Sequence, residues 1–189
     1  ISVVSGMFGY SVMSLVMTAT PLAMQFYSFN FSDTATVIQW HALAMFTPSF
    51  FTGHLIRRFG VVEIIILGTL LNLACMITNL LGVTFIHFVF GLILLGLGWN
   101  FMFIGGTTLL TDSYRGDEQS KVQAANDFII FATVAAASLF SGVILDIFGW
   151  FFVNIAISFP MFIAFNSAIW FRFFYMPSLK KSNQGKVNF

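Results

Sequence analysis

The stretch IIILGTLLNLACMITNLLGVTFIHFVFGLILLGLGWNFMFIGGTTLLT, Ile64 to Thr111, runs for 48 residues without an Asp, Glu, Lys or Arg. About 20 apolar residues in a helix cross the hydrocarbon core of a bilayer, so this length holds two crossings with a turn between them. The rest of the chain agrees. Hydrophobic residues are 58% of the sequence and charged residues 8%, against roughly 25% charged in an ordinary soluble domain, which excludes a water-soluble fold.

Extending the reading in both directions gives six apolar runs: Ile1–Gln25, Thr36–Ile56, Val61–Thr78, Val83–Leu109, Ala124–Leu145 and Trp150–Phe171. They are continuously apolar rather than alternating in units of about ten residues, so they read as helices and not as strands of a membrane barrel. The first run is one of six and no polar mature chain follows it, so it does not read as a cleaved signal. The chain opens on Ile inside an apolar run, and the expectation is a fragment with residues missing upstream.

Lys and Arg set the orientation, because short positively charged loops stay cytoplasmic. Arg57 and Arg58 lie between runs two and three, Arg115 and Lys121 between four and five, and Arg172, Lys180, Lys181 and Lys186 after run six. The alternate connections, residues 26–33, 79–82 and 147–149, have neither. Both chain ends are therefore expected in the cytoplasm, in a multi-pass protein of the cell membrane, for a bacterium the inner membrane.

Two stretches repeat. TGHLIRRFG, Thr52–Gly60, matches SGVILDIFG, Ser141–Gly149, at an offset of 89 residues: Thr52-Gly53 with Ser141-Gly142, Leu55-Ile56 with Ile144-Leu145, Phe59-Gly60 with Phe148-Gly149. One copy joins runs two and three inside and the other joins five and six outside. The chain thus divides into a first three-helix unit at 1–82 and a second at 83–174, related by inversion as in transporters, with a cytoplasmic tail at 175–189.

GHLIRRFG, Gly53–Gly60, resembles the Gly-x-Leu-x-Asp-Arg-x-Gly loop of the major facilitator superfamily. With six spans, both ends inside, YRGDEQSKVQ before span five and SGVILDIFGW closing it, the chain is similar to the carboxyl-terminal half of such a transporter, helices seven to twelve. The resemblance implies an all-α integral membrane fold of two inverted three-helix repeats, half of a twelve-helix secondary transporter that moves a small solute by alternating access. It also implies a missing amino-terminal six-helix half as partner, and leaves open a coupling ion such as H+. The loop's acid is Arg57 here. In the family that acid contacts the start of helix eleven, where this chain carries Asp127, so a charge-swapped pair assigns conformational gating to Gly53, Arg57, Arg58, Gly60 and Asp127. The bland alternative is that Asp127 only favours the positive end of its helix.

Polar groups within spans usually turn inward, because they are costly against lipid. Ser11, Ser14, Thr18, Pro21 and Gln25 share one face of span one, with Tyr10 beside it. Ser11 and Ser14 read as packing groups, and Thr18 beside Pro21 as a candidate for solute contact. In span four Gly91, Gly98 and Gly105 recur every seven residues as a flat packing stripe, while Gly96, Asn100 and Thr107 fall opposite, on a face expected to line a cavity. The resemblance places spans one and four at the central cavity. Tyr10, Thr18, Trp99 and Asn100 are accordingly the candidate solute-binding residues, with Asn100 offering a donor and an acceptor and Trp99 a stacking surface.

His41 and His87 lack metal-ligand spacing, Cys75 has no partner for an internal disulfide, and Asn72 and Asn166 read as helix packing. No enzyme site, nucleotide loop, metal, cofactor or nucleic-acid element is legible; the partners implied are a solute and the lipid bilayer. Two functions stay open: a secondary transporter, or a non-transport six-helix membrane subunit or membrane-embedded enzyme.

Overall fold

A computed structural model of the chain describes residues 1–114 and 116–175. Arg115 and the tail with Lys180, Lys181 and Lys186 lie outside the described residues. Seven α-helices follow one another: α1 Ser2–Phe26, α2 Phe31–Phe46, α3 Ser49–Phe59, α4 Val61–Leu81, α5 Phe85–Thr111, α6 Gln119–Ile155 and α7 Ser158–Trp170, with a π-helical turn at Phe171–Tyr175. There is no strand among the described residues.

These segments make six spans. Pro48 separates α2 from α3, because it has no N–H to donate to the carbonyl of Ala44. Backbone angles nevertheless stay helical there, with Thr47 at φ −56°, ψ −41° and Pro48 at φ −63°, ψ −24°, so α2 and α3 are one bent span. Pro160 sits in the first turn of α7, and its lack of an N–H for the carbonyl of Ala156 leaves the sixth span interrupted between α6 and α7. Pro21 is carried inside a continuous α1.

The repeated stretch gains a structural counterpart. Both of its closing glycines have positive φ: Gly60 at φ 106°, ψ 148° and Gly149 at φ 78°, ψ 175°. This extended, positive-φ region is essentially open to Gly alone. At Gly149 the chain turns back, so that the last residues of α6 and all of α7 run beside α1 and α4. Gly60 and Gly149 reverse the chain at opposite ends of the bundle: α4 starts next to Gly60, while Asn79 near its other end bonds Asn154, five residues past Gly149.

Two expected boundaries move outward. Span two starts at Phe31, because the side chain of Asn30 accepts a hydrogen bond from Asp33 N at 2.8 Å and caps the helix. Span five starts at Gln119.

The glycine stripe of α5 packs as expected, on α4. A Cβ at Gly98 would lie 2.8 Å from the carbonyl oxygen of Gly68, and one at Gly105 would meet the Ile65 side chain. The buried core gathers Val16, Ala19, Ala23 and Met24 of α1 with Leu92, Leu95 and Met102 of α5 and Met161 of α7. Outside it the bundle is apolar: Phe31, Phe50, Phe128 and Leu139 are each more than three-quarters exposed. A soluble monomer rarely shows so much apolar surface, and against lipid it carries no cost.

Candidate solute site

Five aromatic rings from four helices meet near the middle of the bundle. Tyr10 of α1 stands edge-on to Trp99 and Phe103 of α5, with centroids 5.4 and 5.6 Å away, and to Phe131 of α6 at 6.0 Å. Trp99 and Phe103 are stacked at 5.2 Å with planes 10° apart. Phe46 of α2 closes the group, edge-on to Trp99 at 6.3 Å. Such contacts are worth about 0.5–1.5 kcal/mol each beyond their buried area.

Depth grades across the group. Trp99 is 8% exposed, whereas Phe46 and Phe131 are 62% and 55% exposed, so the cluster has a buried floor and open flanks. Trp99 Nε1 is buried without a hydrogen-bond partner. An indole N–H in that state is a donor held back from its usual partner.

Tyr10 and Trp99, both expected from the sequence, are thus brought together. Thr18 lies about 12 Å further along α1 by helical rise. It is exposed, and its hydroxyl is 3.4 Å from Ser138 Oγ of α6.

Asn100 points elsewhere. It is fully buried, and its side chain is spent on α2 and α3: Nδ2 lies 2.7 Å from Met45 O and 2.7 Å from Ser49 Oγ, and Oδ1 accepts from Thr52 Oγ1 at 2.8 Å. Gly96 on the same face is likewise covered, since a Cβ there would be 2.8 Å from the carbonyl oxygen of His41. That face, expected to border a cavity, is instead packed against the second span at Gly96 and Asn100, and only Thr107 is exposed.

At the charged end Arg57, Arg58 and Asp127 are exposed. The ion pair among the described residues joins Arg172 to Glu63, one turn into α4 from Gly60. Arg57 and Asp127 are not joined in this conformation. Asp127 instead accepts from Asn126 Nδ2 at 3.2 Å, and the Arg58 guanidinium sits 5.3 Å from the Phe59 ring centroid.

Sequence reasoning missed Phe46, Phe103 and Phe131, for which no signal existed among 26 phenylalanines. It also missed the bend at Pro48, for which the proline itself was the signal. His41 is held by Nδ1 at 2.8 Å from Leu92 O, and His87 by Thr84 Oγ1 at 2.7 Å. No group of three metal-ligating side chains occurs among the described residues.

The Major Facilitator Superfamily model matches residues 3–188. The chain is 49% identical over 154 residues to a riboflavin transporter of Brucella anthropi, an overlap covering 82% of this chain and 39% of that protein. It is 39% identical over 135 residues to an uncharacterised MFS-type transporter of Bacillus subtilis, covering 70% of this chain and 31% of the relative. The chain therefore spans between three and four tenths of the length of these relatives.

Proposed function

The chain belongs to the Major Facilitator Superfamily, and from that premise we propose that it is the carboxyl-terminal half of a secondary active transporter carrying a planar aromatic solute by alternating access. The observation that carries the solute class is the five-ring cluster of Tyr10, Phe46, Trp99, Phe103 and Phe131. Riboflavin, the solute in the name of one relative, has a flat tricyclic ring and a hydroxylated chain. Trp99 and Tyr10 suit the ring by stacking and edge contact, and Thr18 suits the hydroxyls as donor and acceptor.

Units 1–82 and 83–174 act as the inverted repeats of this half, supported by the positive-φ glycines that close both copies of the repeated stretch. The missing amino-terminal half completes the cavity, and both ends of this chain face the cytoplasm of a bacterial inner membrane. A coupling ion such as H+ is assigned to the other half, where the coupling residues of this family often lie. Gly53, Arg58 and Gly60 shape the inside loop, and Arg57 meets Asp127 in a conformation other than this one.

The test is riboflavin uptake by the full-length protein in cells lacking another route. Trp99→Ala and Tyr10→Ala at normal membrane abundance should raise KM on the order of tenfold, the equivalent of about 1.4 kcal/mol. Unchanged uptake in both variants removes the aromatic cluster from the site.

A further inference from the structure

We infer that Asn100 is a positioning residue for the aromatic site: it holds the Pro48 bend of the second span, and through that bend sets where Phe46 stands against Trp99. The inference rests on reading that cluster as the solute site. Bonding of each N–H to the carbonyl four residues back stops with Thr47 N on Leu43 O at 2.9 Å; Phe50 N turns to Thr47 O at 3.4 Å and Phe51 N to Pro48 O at 2.9 Å, and the four-residue pattern returns with Thr52 N on Pro48 O at 2.8 Å. Between them the carbonyls of the preceding turn lose their usual donors, which in a membrane interior must be replaced from a neighbour.

Asn100 is that neighbour. Its amide has two N–H groups, and Nδ2 is within 2.7 Å of both Met45 O and Ser49 Oγ, on either side of the bend. The single proton of Thr52 lies between Pro48 O at 2.7 Å and Asn100 Oδ1 at 2.8 Å. Gly96, one turn earlier on α5, permits the approach, because a Cβ there would come within 3.0 Å of Met45 N. The amide thus joins α5 to α2 and α3 at once.

Phe46 sits two residues before Pro48, and Trp99 immediately before Asn100, with their rings 6.3 Å apart. A change in the bend angle therefore moves one wall of the site relative to its floor. Thr52 is also the first residue of α3's Thr52–Gly60 stretch, so the same amide ties the aromatic site to the helix carrying Arg57 and Arg58.

The experiment uses the full-length transporter with Asn100→Asp, Asn100→Leu, Pro48→Ala and the Asn100→Leu/Pro48→Ala double variant. Asn100→Asp keeps an acceptor for Thr52 but carries at most one proton where the amide carries two, so it cannot serve Met45 O and Ser49 Oγ together. The readouts are riboflavin Kd by fluorescence quenching and, without solute, the distance distribution between spin labels at the exposed positions His54 and Thr107. Asn100→Asp and Pro48→Ala should each weaken binding on the order of tenfold and shift the label distance. Pro48→Ala supplies the N–H missing at Ala44 O and lets the span straighten so that Ser49 N reaches Met45 O, so adding Asn100→Leu to it should change Kd by less than about twofold. Fully additive effects, or unchanged label distances in Asn100→Asp, overturn the inference; should Asn100→Leu not accumulate, the isosteric Asp variant decides alone. If the unmodified protein binds no riboflavin while the label distances respond as expected, the solute reading fails and the role of Asn100 at the bend stands.

Discussion

Adding one methyl group at Gly98 tests how tightly α4 and α5 are joined. The new Cβ would stand 2.8 Å from Gly68 O, which is 0.6 Å inside the 3.4 Å where ordinary contact begins, and 2.6 Å from Asn72 Oδ1. The approach is reciprocal, since a Cβ at Gly68 would lie 2.8 Å from Gly98 O. Backbone cannot rotate aside as a side chain does, so the helices must part and lose close packing along the stripe. Overpacking of this kind costs about 1–3 kcal/mol, and the better helix propensity of Ala returns up to about 1 kcal/mol. Gly98→Ala should therefore destabilise by about 1–2 kcal/mol. At Gly105 the near neighbour is the Ile65 side chain, at 2.7 Å, with Val61 O at 3.6 Å. Ile65 is fully buried and stiff at χ1 in a helix, so it yields only in part; Gly105→Ala should destabilise, but by less than Gly98→Ala, where the obstacle is backbone. The assay is the thermal unfolding midpoint of purified full-length protein in detergent, followed by tryptophan fluorescence. A midpoint for Gly98→Ala equal to or above that of Gly105→Ala would refute the reasoning, because the backbone contact would then carry no cost.

Gly149→Ala meets no atom within 4 Å, so its whole cost is backbone strain, about 1–3 kcal/mol; because ψ is 175° rather than the left-handed helical value, Gly149→Asn should be as destabilising as Gly149→Ala in the same melts. Arg57→Asp should slow transport and Asp127→Arg should restore part of it in the double variant; equal impairment, with no coupling energy in the cycle, removes the pair, and since α6 starts at Gln119, Asp127 lies beyond the first turn where a helix-end charge would act. In intact cells Ser32→Cys should react with an impermeant thiol reagent and Ser182→Cys, in the tail, should not; labelling of the tail from outside reverses the orientation. Glu63→Gln should cost less than about 1 kcal/mol in an unfolding assay, because its ion pair with Arg172 is partly solvated.

The membrane class, the number of spans and the charge asymmetry followed from the sequence, because hydropathy and charge set each residue's partition between lipid and water whatever its neighbours are. The reach of one glycine stripe was legible too: a repeat of seven keeps Gly91, Gly98 and Gly105 on one face of α5, and only close helix contact uses such a face. The repeated Thr52–Gly60 and Ser141–Gly149 stretches pointed to equivalent turns, and the backbone angles at Gly60 and Gly149 gave the reason glycine closes each. What the opposite face of α5 meets was decided only in three dimensions. Helical spacing places Asn100 and Gly96 together but does not say whether cavity or protein lies beyond them, and the bend at Pro48 brought Met45, Ser49 and Thr52 there. The aromatic cluster was hidden for the same reason: nothing in one helix's sequence distinguishes a phenylalanine facing lipid from Phe103, Phe131 or Phe46, whose positions depend on how four separate helices are rotated against one another.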